Sequence, residues 1–267
     1  KGMNVDLDIE NDVAFVTGGG QGVGRAICKR LALEGAAVVV NDLFQERCQT
    51  VADEINASGG RAIGISGDIT DHATVEEMMG KARDAFGPVT ILVNNAGMLA
   101  GESGASFMHM DDFDQSTPDQ WSGIIGLNLI GSLNCCHAAI PAMKELRRGR
   151  IINIISEAAR VGEPRLAVYS AAKGGVLSLT KSLAKELGRY TITVNAVSLG
   201  NIDRDETTID QLEEPRQKAA RSYALARGLN RMGYARDVAD AVAFLASPRA
   251  EYTTGVALSV SGGYSIG

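Results

Sequence analysis

The stretch "VYSAAKGGV" sets Tyr169 four residues before Lys173, with only small side chains between them. On a helix that spacing puts the phenol and the ammonium on one face. A free phenol titrates near pH 10, too high for efficient proton transfer at neutral pH. A nearby ammonium favours the phenolate and lowers that value. The pair therefore reads as an acid/base centre for a proton on oxygen, with Tyr169 moving the proton and Lys173 tuning it. Ser156, in "NIISEAA" thirteen residues upstream of Tyr169, can donate to an oxygen on which charge develops. Proton transfer of this kind accompanies hydride transfer between an alcohol carbon and a nicotinamide, so a dinucleotide site should lie elsewhere in the chain.

"VAFVTGGGQGVGRAICKRL" supplies one. It runs from an apolar strand through a glycine cluster into a helix, with Gly18, Gly22 and Gly24 as the glycines that matter. Glycine lets a backbone turn tightly and approach a pyrophosphate, and the following helix offers free N–H groups and the positive end of its dipole. An acidic residue should end the second strand, and "VVVNDLF" places Asp42 18 residues after Gly24. A carboxylate there accepts from both ribose hydroxyls of an adenosine and repels a 2′-phosphate. Gln21 adds no positive charge to the loop, Arg25 falls in the first helical turn, and Asp42 stands between Arg47 and the ribose. NAD is preferred over NADP on these grounds.

These residues need a scaffold. Strands read at Val13–Thr17, Ala37–Asn41, Arg61–Ser66, Thr90–Asn94, Ile151–Ile155, Thr191–Val197 and Ala257–Val260. Amphipathic stretches near 22–34, 45–57, 72–86, 119–146, 167–188 and 236–246 alternate with them. Alternation of this kind predicts an α/β fold with a parallel sheet covered on both faces. Continuous apolar runs such as "AAVVV" suit buried parallel strands. Residues 98–118 and 198–225 are long and polar, and both follow strands, so both should border the crevice at the strands' carboxyl ends.

Composition narrows the function classes. The 267 residues carry 26 Lys plus Arg against 32 Asp plus Glu, for a formal charge of −6. A mildly acidic chain without a basic block argues against a nucleic-acid partner. The apolar runs read as too short for the roughly 20 residues of a membrane span, and no signal-peptide pattern is apparent. Cys28, Cys48, Cys135 and Cys136 have no disulfide or zinc spacing and read as reduced thiols of a cytoplasmic protein. His72, His109 and His137 are scattered, so no metal site is expected.

Taken in order, "TGGGQGVG", "NNAG" at 94–97, the serine thirteen residues before the tyrosine and Tyr-x-x-x-Lys resemble the short-chain dehydrogenase/reductase family, from Val13 to Gly263. The resemblance implies a doubly wound (Rossmann) seven-stranded parallel sheet with helices on both faces, in one domain over residues 3–267. It implies an oxidoreductase transferring a hydride between a secondary alcohol or ketone and NAD(H). Cofactor contacts would come from Gly18, Gln21, Gly22, Val23 and Gly24, from Asp42, and from Asp68 and Ile69 at the adenine. Asn94 to Gly97 would line the cleft, with Asn95, Ala96 and Gly97 as contacts, joined by Gly200 and Ile202. Tyr169 and Lys173 would also touch the cofactor, Lys173 through the nicotinamide ribose. Asn128 in "GLNLIGS" would complete a tetrad with Ser156, Tyr169 and Lys173 by holding a water that links Lys173 to solvent. The family commonly assembles as homotetramers through the helices near 119–146 and 167–188 and the last strand. Rival readings are an NADPH-dependent reductase of the ketoacyl-reductase type, a sugar-nucleotide epimerase and an NAD-binding protein without turnover.

The chain departs from the family in "VSLGNIDRDETT". Leu199 replaces a proline and Arg204 occupies a threonine position, either pairing with the pyrophosphate or facing solvent. Loss of the proline frees φ and should loosen the turn, making 200–225 a substrate lid. Its charges, among them Asp203, Asp205, Glu206, Asp210, Glu213 and Glu214, read as a solvated face. Met98, Phe107, Met108 and Met110 would form an apolar pocket wall. Arg160 and Arg165, with Glu157, are placed to hold a substrate carboxylate or a phosphate-bearing carrier such as coenzyme A.

Overall fold

The computed structural model describes residues 7–100, 106–107, 111–203 and 206–266. Seven parallel strands form the sheet: β1 (Val13–Val16), β2 (Ala37–Asp42), β3 (Arg61–Ser66), β4 (Ile91–Asn94), β5 (Gly149–Ser156), β6 (Ile192–Leu199) and β7 (Ala257–Val260). Their spatial order is β7-β6-β5-β4-β1-β2-β3. The order reverses between β1 and β4, and ligands bind outside the strand ends at such a switch point.

The alternating side chains of each strand feed two cores. Ala14, Val16, Val38, Val40, Ile91 and Val93 face α1 (Gly22–Leu33), α2 (Gln45–Ala57) and, later in the chain, the helix Ala235–Ala246. Val13, Phe15, Val39, Leu92 and Ile151 face α3 (His72–Phe86) and, after α4 (Pro118–Ile125), α5 (Gly131–Leu146) and α6 (Ala167–Leu187). Both faces are thus covered, as the doubly wound expectation requires. We label the helix Ala235–Ala246 α7.

The helix expected over 119–146 is not uniform. A π-helical segment, Gly126–Ile130, joins α4 to α5. Such wide turns are rare and cluster at functional sites. Length and composition alone would also let Pro118–Leu146 cross a membrane, which the sequence reading did not detect. In the fold its Cys135, Cys136, Ala139 and Met143 are buried against the sheet. Two small sheets lie outside the main one. Leu99–Ala100 pairs antiparallel with Ser106–Phe107, and Ile202–Asp203 pairs parallel with Gly233–Tyr234.

Candidate active site

A cleft of about 840 Å³ opens at the carboxyl ends of β1, β2, β4, β5 and β6. Its cofactor end is made mainly of backbone. Gly18 and Gly22 take left-handed φ values of 61° and 52°, which glycine adopts without strain. A Cβ on Gly24 would stand 2.1 Å from the Gly18 carbonyl oxygen, so α1 can begin this close to the loop only with glycine there. Thr17 organises the next strand's end. Its hydroxyl accepts from the Asn95 and Ala96 N–H groups at 2.9 and 3.0 Å, and Asn95 Nδ2 donates to the Thr17 carbonyl at 3.0 Å. The sequence reading overlooked Thr17, although it precedes the glycines directly.

Asp42 ends β2 and is largely buried at the cleft wall. Its Oδ1 accepts from the Phe44 N–H at 3.3 Å and lies 3.9 Å from the Arg47 guanidinium, which stacks over the Phe44 ring. Gln21, Val23, Asp68, Ile69, Asn95, Ala96, Gly97, Gly200 and Ile202 all line the same cleft. Asn94 does not. It is buried and donates to Asn153 Oδ1 at 2.8 Å, and Asn153 donates onward to Thr180 Oγ1 at 2.9 Å. Strand alternation turns Asn94 into the core while its successor faces the ligand side. Asn195 is likewise structural, bonded to the Thr253 carbonyl and the Val256 N–H.

At the reacting end β5 delivers Ser156, and α6 lays Tyr169 and Lys173 across it. All three line the cleft. Ser156 Oγ accepts from the Ala158 N–H at 3.2 Å, which aims its single proton away from that backbone. Lys173 is buried and donates to the Ile154 carbonyl at 2.9 Å. Its Nζ lies 5.8 Å from the centre of the Tyr169 ring. A positive charge on that side of the ring favours the phenolate.

Burial acts against that attraction. It raises the Tyr169 phenol to about 12, opposed by a hydrogen bond from Ser156, and lowers the Lys173 ammonium to about 8. The expectation of a depressed tyrosine pKa is not met in the protein alone, where burial of the phenol outweighs the Ser156 hydrogen bond that opposes it.

Asn128 sits in the π-helical turn, fully buried, with Nδ2 donating to the Ile124 carbonyl at 3.0 Å. Its Oδ1 has no hydrogen-bond partner. A Cβ added to Gly97 would come 2.9 Å from that oxygen and 3.1 Å from Lys173 Nζ. Gly97 thus separates an unsatisfied acceptor from the ammonium, and a buried acceptor of this kind calls for a polar partner such as water.

The substrate end is held by side chains. Glu157, beside Ser156, is buried and accepts from Ser259 at 2.7 Å and from Ser265. Burial would raise its carboxyl, but these hydrogen bonds and the Arg160 charge prevail and keep it below the ordinary value. Arg160 is committed to Glu157 at 3.4 Å, and Arg165 pairs with Asp112 at 3.0 Å on the exposed rim. The two arginines expected to meet a substrate anion are therefore engaged with carboxylates of the chain itself.

Charges of the 200–225 segment also find partners. Asp203 is buried, accepting from Thr207 N and Oγ1 at 2.8 Å each and from Arg216 at 2.8 Å, and Glu206 pairs with Arg236 at 3.1 Å. The carboxyl of Asp203 is pulled below its usual range, the hydrogen bonds and Arg216 overcoming desolvation. Met98 lines the cleft. Arg204, Asp205, Met108, Met110 and His109 lie outside the described residues, and Phe107 is described by its backbone alone.

The glycine loop and the Tyr169–Lys173 pair both lie in a stretch that one family's sequence profile matches. The sequence profile of the family described as short chain dehydrogenase matches residues 12–215. The chain belongs to the short-chain dehydrogenase/reductase family. Its similarity to individual members spans almost its whole length. The BbsD subunit of (2S)-[(R)-hydroxy(phenyl)methyl]succinyl-CoA dehydrogenase from Thauera aromatica is 38% identical over 97% of this chain and 99% of its own. The 3-oxoacyl-[acyl-carrier-protein] reductase FabG of Escherichia coli strain K12 is 38% identical over 96% and 98%. FabG of Staphylococcus aureus strain Mu50 is 39% identical over 94% and 96%. Like its family, this short-chain dehydrogenase/reductase is an oxidoreductase that uses a nicotinamide cofactor. The cradle around Gly24, the open cleft and the unsatisfied Asn128 oxygen all fit that cofactor.

Proposed function

We propose that the enzyme transfers hydride between NAD(H) and a secondary alcohol or ketone. The carrying observation is Asp42, a largely buried carboxylate at the end of β2 in the wall of the cleft. A ribose with two free hydroxyls satisfies it, whereas a 2′-phosphate would face its charge. Gly18, Gln21, Gly22, Val23 and Gly24 cradle the pyrophosphate; Asp68 and Ile69 border the adenine; Asn95, Ala96, Gly97, Gly200 and Ile202 flank the rest.

In this reading Ser156 donates to the substrate oxygen and Tyr169 exchanges its proton. Lys173 holds the nicotinamide ribose and favours the phenolate, and Asn128 holds a water that relays protons from Lys173. A bound oxidised nicotinamide accepts the hydride and adds a positive charge near the phenol. That charge, together with Lys173, must offset a desolvation that by itself takes Tyr169 to about 12.

The relatives point to the substrate class. One acts on a coenzyme A thioester and two on an acyl-carrier-protein thioester, as their names state. A 3-hydroxyacyl or 3-oxoacyl thioester is therefore the first substrate to try. The two reductase names favour a second reading, a ketoreductase; the NADPH form of that reading would draw on cations lining the cleft, Arg47 beside Asp42 and also Arg25 and Lys29.

We further propose one domain over residues 3–267 with a lid at 200–225, and a cytoplasmic homotetramer acting on small molecules rather than on nucleic acid or membranes. Exposed Phe113, Ile125, Ile130 and Leu133 on and near α4 and α5 favour self-association there. Four buried free cysteines favour a reducing compartment. The deciding experiment compares kcat/KM with NAD and NADP on a panel of free and thioester-linked secondary alcohols. Preference for NAD by at least tenfold is expected; preference for NADP would overturn the cofactor assignment.

A further inference from the structure

His72, the first residue of α3, and His137, on α5, are 65 positions apart in sequence, but the fold brings them into contact. His72 Nε2 and His137 Nδ1 are 3.0 Å apart, with the rings nearly edge-on at 61°. Glu76 stands one turn further along α3, its Oε1 4.0 Å from His72 Nε2. One ligand atom from each of the three residues lies within 4.8 Å of the others.

We propose that His72, Glu76 and His137 form a surface site for one borderline divalent transition-metal ion, for which Zn²⁺ is the natural probe. Donors about 2.1 Å from one ion stand about 3.4 Å apart in a tetrahedron, and about 3.0 Å (adjacent) or about 4.2 Å (opposite) in an octahedron. The two His72 separations, 3.0 and 4.0 Å, bracket the tetrahedral spacing, and the third pair, bounded by 4.8 Å, closes onto an ion by rotation of the Glu76 and His137 side chains. Two imidazoles and a carboxylate suit zinc, nickel or copper better than magnesium or calcium, which prefer oxygen alone. Water would complete the shell, since the ligands lie at the surface; the His72 side chain is 43% exposed and that of Glu76 61%.

The proton shared between the facing nitrogens moves to the outer nitrogen of its own ring, which leaves both inner lone pairs for the ion. The backbones are already set. Val75 and Met78 of α3 and Cys135, Cys136 and Ala139 of α5 are buried in one core, so only side-chain rotation remains. Asn134, three residues before His137, donates to the Ile69 and Thr70 carbonyls at 2.9 and 3.1 Å. An ion here would therefore clamp α3 to α5 directly behind the 68–70 segment of the cleft wall.

Calorimetric titration of tag-free protein with ZnCl₂ and with MgCl₂ tests this. One equivalent of Zn²⁺ should bind, with no Mg²⁺ uptake. His72→Ala and His137→Ala should each weaken Zn²⁺ at least tenfold and Glu76→Gln less, all with unchanged far-ultraviolet circular dichroism. Co²⁺ substituted for Zn²⁺ should give a visible absorption band that His137→Ala abolishes. The buried cysteines do not compete for the probe. Absence of Zn²⁺ uptake by the wild type, or equal uptake by wild type and His137→Ala, overturns the site.

Discussion

At the cofactor end of the cleft the decisive contacts all involve backbone atoms: Gly24 against the Gly18 carbonyl, and two successive N–H groups donating to the Thr17 hydroxyl. At the substrate end they are side chain to side chain and join distant segments. Glu157 reaches Ser265 across 108 positions, Tyr264 reaches Glu163 across 101, and Arg216 pairs with Asp203 within the 200–225 segment. A backbone-built site tolerates little change, because its atoms cannot step aside without moving strands. A side-chain-built site can be rewired one pair at a time while the fold survives. The same protein thus pairs an inflexible cofactor cradle with a substrate end open to variation, and Tyr169 and Lys173 stand where the two meet.

That contrast can be broken at several points. With Tyr169 as the proposed proton carrier, Tyr169→Phe should lower kcat about a thousandfold and cofactor affinity far less, as measured by steady-state kinetics and cofactor fluorescence. Retained turnover would move the acid/base elsewhere.

Lys173→Met should alter stability as well as rate. An ammonium lowered to about 8 from an unfolded value near 10.4 costs about 3 kcal/mol below pH 8. The unfolded chain holds that proton between roughly pH 8 and 10 while the folded one releases it, so this contribution makes stability rise with pH across that window. The variant should lack the rise in urea titrations, and an identical pH profile would show that Lys173 is not strained by burial.

Gly24→Ala should test the cradle itself. The new Cβ meets a backbone oxygen, so a loss of roughly 2 kcal/mol in stability is expected, together with weaker NAD binding. Calorimetry and thermal denaturation would report both. The smallest effect belongs to the 200–225 segment. Arg216→Ala leaves Asp203 with its two Thr207 bonds, so the loss is about 1 kcal/mol, seen as a several-fold rise in substrate KM with NAD affinity untouched. An equal effect on NAD affinity would mean that the two ends are not built independently.

The sequence by itself determined the parts that rest on local spacing. Tyr169 and Lys173 share a helix face because they are four residues apart, and the glycine loop lies between β1 and α1 because apolar and glycine-rich runs succeed each other there. The alternation of strands and helices, and hence a parallel sheet covered on both faces, followed from periodicity, and the doubly wound order from the family resemblance. What only the tertiary structure decided are relations between residues far apart in the chain. Arg160 spends its charge on Glu157 because the C-terminal serines bury that carboxylate. Asn94 turns inward to Asn153, and His72 meets His137 across two helices. The direction of the Tyr169 shift belongs here too, since desolvation depends on everything packed around the phenol, and no spacing along the chain encodes that.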